Sequence, residues 1–365
     1  MTVLLRPQGL TALLMGRFGN ALLWLFAALH LAALSILLMT LLTLSDANAA
    51  EQQADACGGS DILVAMQKTD PQAYAAILAE AEKIPNGEGT LWKIEKDGKD
   101  PSWLLGTMHL ADPRVVDMPK GAKEAFAKAK TVIVESDEIT SEKKAGASLL
   151  ARPDLTMFVD GKSITDMLSA DDVAKLETGL KERGIPLNAV IKMKPWILSS
   201  FVALPACELA RKAKGAEFLD MKLANDALKE GKQLVGLETL VEQMSALSDL
   251  PMTFHVQSLI EMLRMGNRMQ DIMATMIDLY LKGEIGMITP MMKSIDPDEN
   301  NKGDDGYAAF EQRLITDRNH VMADRAESHL DQGGVFMAVG ALHLPGNEGV
   351  IELLRKKGFT LTRVN

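Results

Sequence analysis

The sequence predicts an α/β protein with a central mixed, partly parallel sheet, an N-terminal hairpin and a large helical middle region, behind an N-terminal signal or anchor helix. Three observations predict it. Short apolar runs rich in β-branched residues alternate with helical stretches, the pattern of strands feeding crossover helices. Two apolar runs flank Asp97-Gly98, which reads as a hairpin. A long uncharged segment occupies the start of the chain.

Residues 1–49 carry only Arg6 and Arg17 as positive charges, and Phe18 to Ser45 carry no formal charge. Ala47 and Ala49 then form a small-x-small pattern. A basic start, an apolar run and an A-x-A site are the parts of a secretory signal peptide. The run also exceeds the ~20 apolar residues needed to span a bilayer. Residues 1–49 are therefore a cleaved signal or a membrane anchor, and the membrane is a partner through this segment if it stays uncleaved. Either way the positive start places the following domain, 50–365, in an extracytoplasmic compartment.

The rest of the chain follows in order. Asp61–Ala81 reads as helix, split at Asp70-Pro71, where Asp caps and Pro opens a first turn. Thr90–Lys96 and Ser102–Thr107 form the hairpin. Lys120–Lys130 is helical and leads into the strand Thr131–Val134, which ends on Glu135. Residues 163–290 read as a mostly helical insert, within which Ser169-Ala170-Asp171-Asp172 is a capping-box start. Further strands are expected at Gln233–Leu237, Val335–Val339 and Thr360–Val364, and a helix at Tyr307–Leu330. Asp296–Asp305 reads as a polar, acidic loop.

The formal charge is −10, and removing residues 1–49, with two Arg and one Asp, makes it −11. That balance argues against nucleic acid as a partner, because a phosphate backbone demands basic patches. The two cysteines, Cys57 and Cys207, are a candidate disulfide in an exported chain, with two buried thiols as the alternative. Met262, Met265, Met269, Met273 and Met276 recur at helical spacing. A soft-metal or adaptable peptide surface is one reading, and a helix packing its core face is the favoured one.

Two segments resemble each other: Trp103-Leu104-Leu105-Gly106-Thr107-Met108-His109-Leu110 and Phe336-Met337-Ala338-Val339-Gly340-Ala341-Leu342-His343-Leu344. Each is an apolar strand, a Gly, two residues, then His-Leu. Each His falls just past a strand end, and the carboxyl-end rim is where open α/β sheets bind ligands. Glu135 ends a third strand. Imidazoles plus a carboxylate make a site for a divalent metal ion such as Mn, Co or Zn, with His109, His343 and Glu135 as ligands. Glu238 ends a fourth strand as a candidate general base, ligand or helix-cap acid. Arg318, on the 307–330 helix, is a candidate oxyanion donor. His320 and His329 read as structural.

Leu91-Trp92-Lys93-Ile94, the GTMH motif, Val134-Glu135-Ser136, Gly236-Leu237-Glu238-Thr239, Asp317-Arg318-Asn319 and the ending Gly340-Ala341-Leu342-His343-Leu344-Pro345-Gly346-Asn347-Glu348-Gly349 resemble the TraB/GumN family. The resemblance runs from about Cys57 to the C-terminus. It implies a fold similar to the erythromycin-esterase and ChaN-like proteins. From the Tiki branch of the family it also implies a metal-dependent hydrolase acting as a peptidase on a peptide or protein substrate. Carried over, His109 and His343 are the two motif histidines, Glu135 the strand-end acid and Arg318 the helix arginine. Asp317 stands where the family often shows Glu, a departure beside that arginine. The alternative function is a non-catalytic, extracytoplasmic haem, iron or ligand binder of ChaN-like fold, in which the two rim histidines ligate haem iron without covalent attachment.

Overall fold

Among the described residues six strands form: β1 (Leu91–Glu95), β2 (Ser102–Thr107), β3 (Thr131–Val134), β4 (Gln233–Gly236), β5 (Val335–Gly340) and β6 (Thr360–Arg363). They belong to a computed structural model that describes residues 57–295 and 305–364, within a unit spanning Ala54–Asn365. The expected leader and residues 296–304 of the acidic loop lie outside the described residues. Asp305 opens a helix, Asp305–Glu311, rather than closing a loop.

The sheet is mixed, in the order β4-β3-β5-β2-β1-β6. The hairpin β1–β2 is antiparallel, with Leu91 opposite Leu105. β2 runs parallel to β5, β5 to β3 and β3 to β4. Four neighbouring strands thus point their carboxyl ends the same way. The joining segments are long and mostly helical, as parallel pairing requires.

Alternation along the strands builds two core layers. Leu104, Ile133, Val335, Met337 and Val339 meet helices Asp317–Leu330 and Val350–Lys356 through Met322, Ala326, Leu330, Ile351 and Leu354. Leu105, Val132, Val134, Phe336 and Ala338 meet helices Lys120–Lys128 and Leu219–Lys229 through Phe126, Leu219, Leu223 and Ala227. The result is a sheet covered on both faces, which is why β3 and β5 read as continuous apolar runs.

The helical middle divides into two blocks. Helix Leu219–Lys229 and β4 fall inside it and belong to the sheet layers. Around them, helices Ala170–Lys181, Pro195–Ala203 and Met252–Met265 close a separate cluster on Leu176, Leu180, Leu198 and Leu259. The methionine stripe is not one helix face. Gly266 ends helix Met252–Met265 and a new helix, Arg268–Lys282, begins beyond it. Met262 packs on the helical cluster, whereas Met273 and Met276 pack on another core that includes Leu63, Ile77 and Tyr280. The helix break at Gly266 is what the 3.6-residue spacing could not register.

Cys57 and Cys207 are bonded, with their Cα atoms 5.4 Å apart. Among the described residues no helix is long and apolar enough to cross a membrane.

Candidate functional site

The parallel ladder fixes where the site forms. Thr107 of β2 lies opposite Gly340 of β5, and Val134 of β3 opposite Gly236 of β4. His109, Glu135, Glu238 and His343 each follow one of these ends within three residues, so one rim collects all four. The pairing of β3 and β4 continues one step past the strands, where the Glu238 N–H donates to the Glu135 carbonyl at 2.7 Å.

His109 Nε2 and His343 Nε2 each lie 3.9 Å from the same atom, Glu135 Oε1. That bounds the separation of the two ring nitrogens at twice that distance. The other nitrogen of each ring is held. His343 Nδ1 is 2.7 Å from Asn319 Oδ1, while Asn319 Nδ2 donates to the Glu348 carbonyl at 2.8 Å. The amide is thereby oriented, its oxygen faces the imidazole, and Nδ1 carries the hydrogen. His109 Nδ1 is 3.0 Å from Asp220 Oδ2, and Asp220 Oδ1 accepts from the Thr107 hydroxyl at 2.7 Å. In the neutral rings both Nε2 lone pairs therefore face a carboxylate oxygen, an arrangement that favours a cation between them.

Two donors on one ion with bonds of ~2.0–2.2 Å stand no further apart than about 4.4 Å. Each histidine–Glu135 pair meets that bound. As they stand, no three His, Cys, Asp or Glu side chains among the described residues close round a single point. Gly340 lies against this cluster and brings no side chain to it. A Cβ on Gly340 would sit 3.1 Å from Glu135 Oε1, 3.4 Å from His343 Cδ2 and 3.8 Å from His109 Nε2. Gly106 of the other motif serves a different need, since its Cβ would press within 3.0 Å of the Ala341 backbone.

Arg318 ties the two acids together. Its Nη2 donates to Glu135 Oε2 at 2.6 Å and to Glu238 Oε2 at 2.7 Å, and its Nε reaches both Glu238 oxygens. Gln243 Nε2 bridges the same pair of carboxylates at 3.1 and 3.4 Å. Glu238 is therefore not the cap of the following helix, Leu240–Ser248, which begins on Thr239 with Glu242 as the reciprocal partner. Arg318 follows a π-helical turn, Gln312–Thr316, that interrupts the expected 307–330 helix. Such turns add a residue and recur at functional sites. Arg318 and the adjacent Asn319 emerge from it onto different partners, the acids and His343. Beside them a surface cavity of about 180 Å³ is lined by Glu238, Arg318, Arg313, Asp317 and Glu242.

These contacts set the protonation states. Burial pushes His343 down to about 4, against the pull of Glu135 and with the help of the Arg318 charge. Burial acts downward on His109 too, but the Asp220 carboxylate, by charge and hydrogen bond, and Glu135 raise it to about 9. The His109 side chain is 55% exposed, so water screens these charges and the upward direction matters more than its size. Burial would raise Glu135, yet His343, His109, Arg318 and the Gly340 N–H, which donates to Oε1 at 2.7 Å, hold it to about 2. Two unlike histidines face one ionised carboxylate.

His320 pairs with Glu348 at 2.8 Å and His255 with the Leu247 carbonyl at 3.0 Å, so neither joins the site. Motif patterning points to neither Asp220 nor Gln243, and it gives Asn319 a place in Asp317-Arg318-Asn319 but no role. Asp220 had a signal: it is an acid in the first turn of a helix whose core face is Leu219, Leu223, Ala224 and Ala227. Gln243 had none.

The sequence profile of the TraB/PrgY/gumN family matches residues 90–363, which contain every residue of the site. The chain belongs to the TraB/PrgY/gumN family. Among curated relatives, the Homo sapiens protein named Metalloprotease TIKI1 is 27% identical over 316 residues, 74% of this chain and 60% of that protein. The Danio rerio Metalloprotease TIKI1 is 28% identical over 313 residues, again 74% of this chain and 62% of the relative. The Nematostella vectensis Metalloprotease TIKI homolog is 24% identical over 327 residues, 76% of this chain and 68% of the relative. The chain thus spans about three-fifths of the vertebrate relatives' length. No solved structure matches this TraB/PrgY/gumN chain significantly.

Proposed function

We propose that the chain is an extracytoplasmic, metal-dependent hydrolase acting on peptide or protein substrates. One observation carries the reading: two imidazoles with their Nδ1 atoms held present Nε2 at 3.9 Å from one ionised carboxylate oxygen, beside Gly340, which brings no side chain to the cluster. Imidazole and carboxylate together suit Mn, Co or Zn. The carboxylate standing between the rings favours a divalent ion over haem, whose macrocycle would need that space. Relatives named metalloproteases favour peptide bonds as the target. The export pattern of residues 1–49, as signal or anchor before the 50–365 domain, and the Cys57–Cys207 bond favour an oxidising compartment outside the cytoplasm.

His109, His343 and Glu135 would hold the ion. When bound it would polarise a substrate carbonyl and bring the pKa of water down towards ~7. His343, His109 and Arg318 together keep Glu135 ionised, so the carboxylate needs no deprotonation before use. Glu238 is the second rim carboxylate and takes the base role, with Arg318 orienting it. Arg318 Nε and Nη2 are taken by the two acids, so its Nη1, which also donates to the Leu314 carbonyl, is the group that would meet a developing oxyanion at the edge of the 180 Å³ cavity.

The test is metal analysis of the purified domain with a peptide-cleavage screen, alongside His343→Ala. Bound metal and cleavage, both lost in the variant, are expected. A metal-free, inactive wild type after reconstitution with Mn, Co and Zn would overturn the reading. So would a haem absorption band that His343→Ala removes.

A further inference from the structure

We infer that Asp220 is the positioning residue that turns His109 into a metal ligand, acting from a helix outside every sequence motif of the site. The inference rests on the metal reading above and adds a residue to it. His109 is the exposed member of the pair, whereas burial locks the ring of His343. Its ring meets Phe218 edge-on, with centroids 5.6 Å apart, which limits tilt but does not choose a tautomer. A neutral imidazole free in water carries its hydrogen on either nitrogen, and only the Nδ1–H form leaves Nε2 with a lone pair for an ion.

Asp220 decides this. Its Oδ2 stands 3.0 Å from His109 Nδ1, and an ionised carboxylate accepts hydrogen bonds only, so the hydrogen belongs on Nδ1. The carboxylate is itself aimed. Asp220 is 2% exposed, and its Oδ1 takes the Thr107 hydroxyl at 2.7 Å. Thr107 is the second residue of the Gly106–His109 motif and the last of β2, so the strand that carries His109 also steers its partner. Asp220 opens helix Leu219–Lys229, which packs on the sheet through Leu219 and Leu223 and leaves the carboxylate little freedom. Partners of this kind raise the basicity of a ligating imidazole and fix its plane. The amide of Asn319 does the same for His343 without a charge. The two ligands are thus held by unlike means, a carboxylate on the exposed side and an amide on the buried side.

The experiment is calorimetric titration with Co²⁺ and Mn²⁺ of the metal-free exported domain, paired with thermal melts. Wild type, Asp220→Ala, Thr107→Val and the double variant are compared. Asp220→Ala should weaken the ion about 10–100-fold, the usual cost of losing such a partner. Thr107→Val should weaken it several-fold in the wild-type background and not at all in Asp220→Ala, because Thr107 acts through Asp220. The visible absorption of the Co²⁺ form should change in Asp220→Ala. Folded Asp220→Ala that binds within twofold of wild type overturns the inference and leaves the metal reading intact. Equal Thr107→Val effects in both backgrounds overturn it as well. A wild type that binds no ion overturns both. If Asp220→Ala does not fold, Thr107→Val alone decides, with unchanged affinity against the inference.

Discussion

Replacing Gly340 by alanine would put a Cβ 3.1 Å from Glu135 Oε1, 3.4 Å from His343 Cδ2 and 3.8 Å from His109 Nε2. The backbone there has φ −51° and ψ 136°, which alanine adopts freely, so the effect comes from the methyl group alone. The 3.1 Å contact asks the carboxylate to yield by a few tenths of an ångström, an overpacking cost of about 1–3 kcal/mol. The same methyl stands beside two of the donor atoms, Glu135 Oε1 and His109 Nε2, and against the His343 ring carbon Cδ2. An ion bound at ~2.0–2.2 Å to Glu135 Oε1 and His109 Nε2 would be crowded by that carbon. Affinity for Co²⁺ or Mn²⁺ should fall by about 10–100-fold, as when a ligand's surroundings are disturbed. Ile351→Val, at a fully buried core position, serves as the control, with about 0.5–1.5 kcal/mol of lost stability and unchanged metal binding. Calorimetry and thermal melts read both quantities. Gly340→Ala that binds within twofold of wild type would refute the placement of the ion.

Other outcomes follow from the same geometry. Arg318→Leu should cost about 3–5 kcal/mol in urea titrations, because it leaves Glu135 and Glu238 buried without their shared cation; an unchanged midpoint would show the acids find other partners. His343 is neutral in the fold at about 4 against an ordinary 6.5. The folded state therefore binds fewer protons, and this contribution is complete above pH ~6.5 and lost as pH falls towards 4. Between pH 7 and 4.5 the metal-free domain should lose about 2–3 kcal/mol through this group. His343→Asn should flatten that slope, and an identical pH profile would reject the assignment. Reducing Cys57–Cys207, which links positions 150 residues apart, should lower stability by about 2–5 kcal/mol; alkylated, reduced protein that melts with the oxidised form would show the bond is idle.

Much of the fold was legible because its cues are local. Asp70-Pro71 splits the first helices where a cap and an N1 proline demand it. The turn at Asp97-Gly98 and the runs on either side pair as β1 and β2. Gln233, Val335 and Thr360 begin strands as expected, within a residue or so at the far ends. The methionine spacing misled because it continues in phase across Gly266, where one helix ends and another begins. The π-helical turn before Arg318 left no trace, since an extra residue per turn is a backbone choice that no side-chain period encodes.

By itself the sequence determined the chemical types at the rim, because a Gly and a His after an apolar strand, and a Glu ending another, are statements about strand ends. It also supplied the candidates Glu238 and Arg318. The tertiary structure alone decided which atoms face which. Strand order β4-β3-β5-β2 places His109 and His343 on one Glu135 oxygen. Asp220 and Asn319 then settle which nitrogen of each ring looks inward. Those partners come from helices distant in the chain, and a hydrogen-bond direction depends on atomic positions that packing fixes, so no spacing of residues along the chain could have shown them.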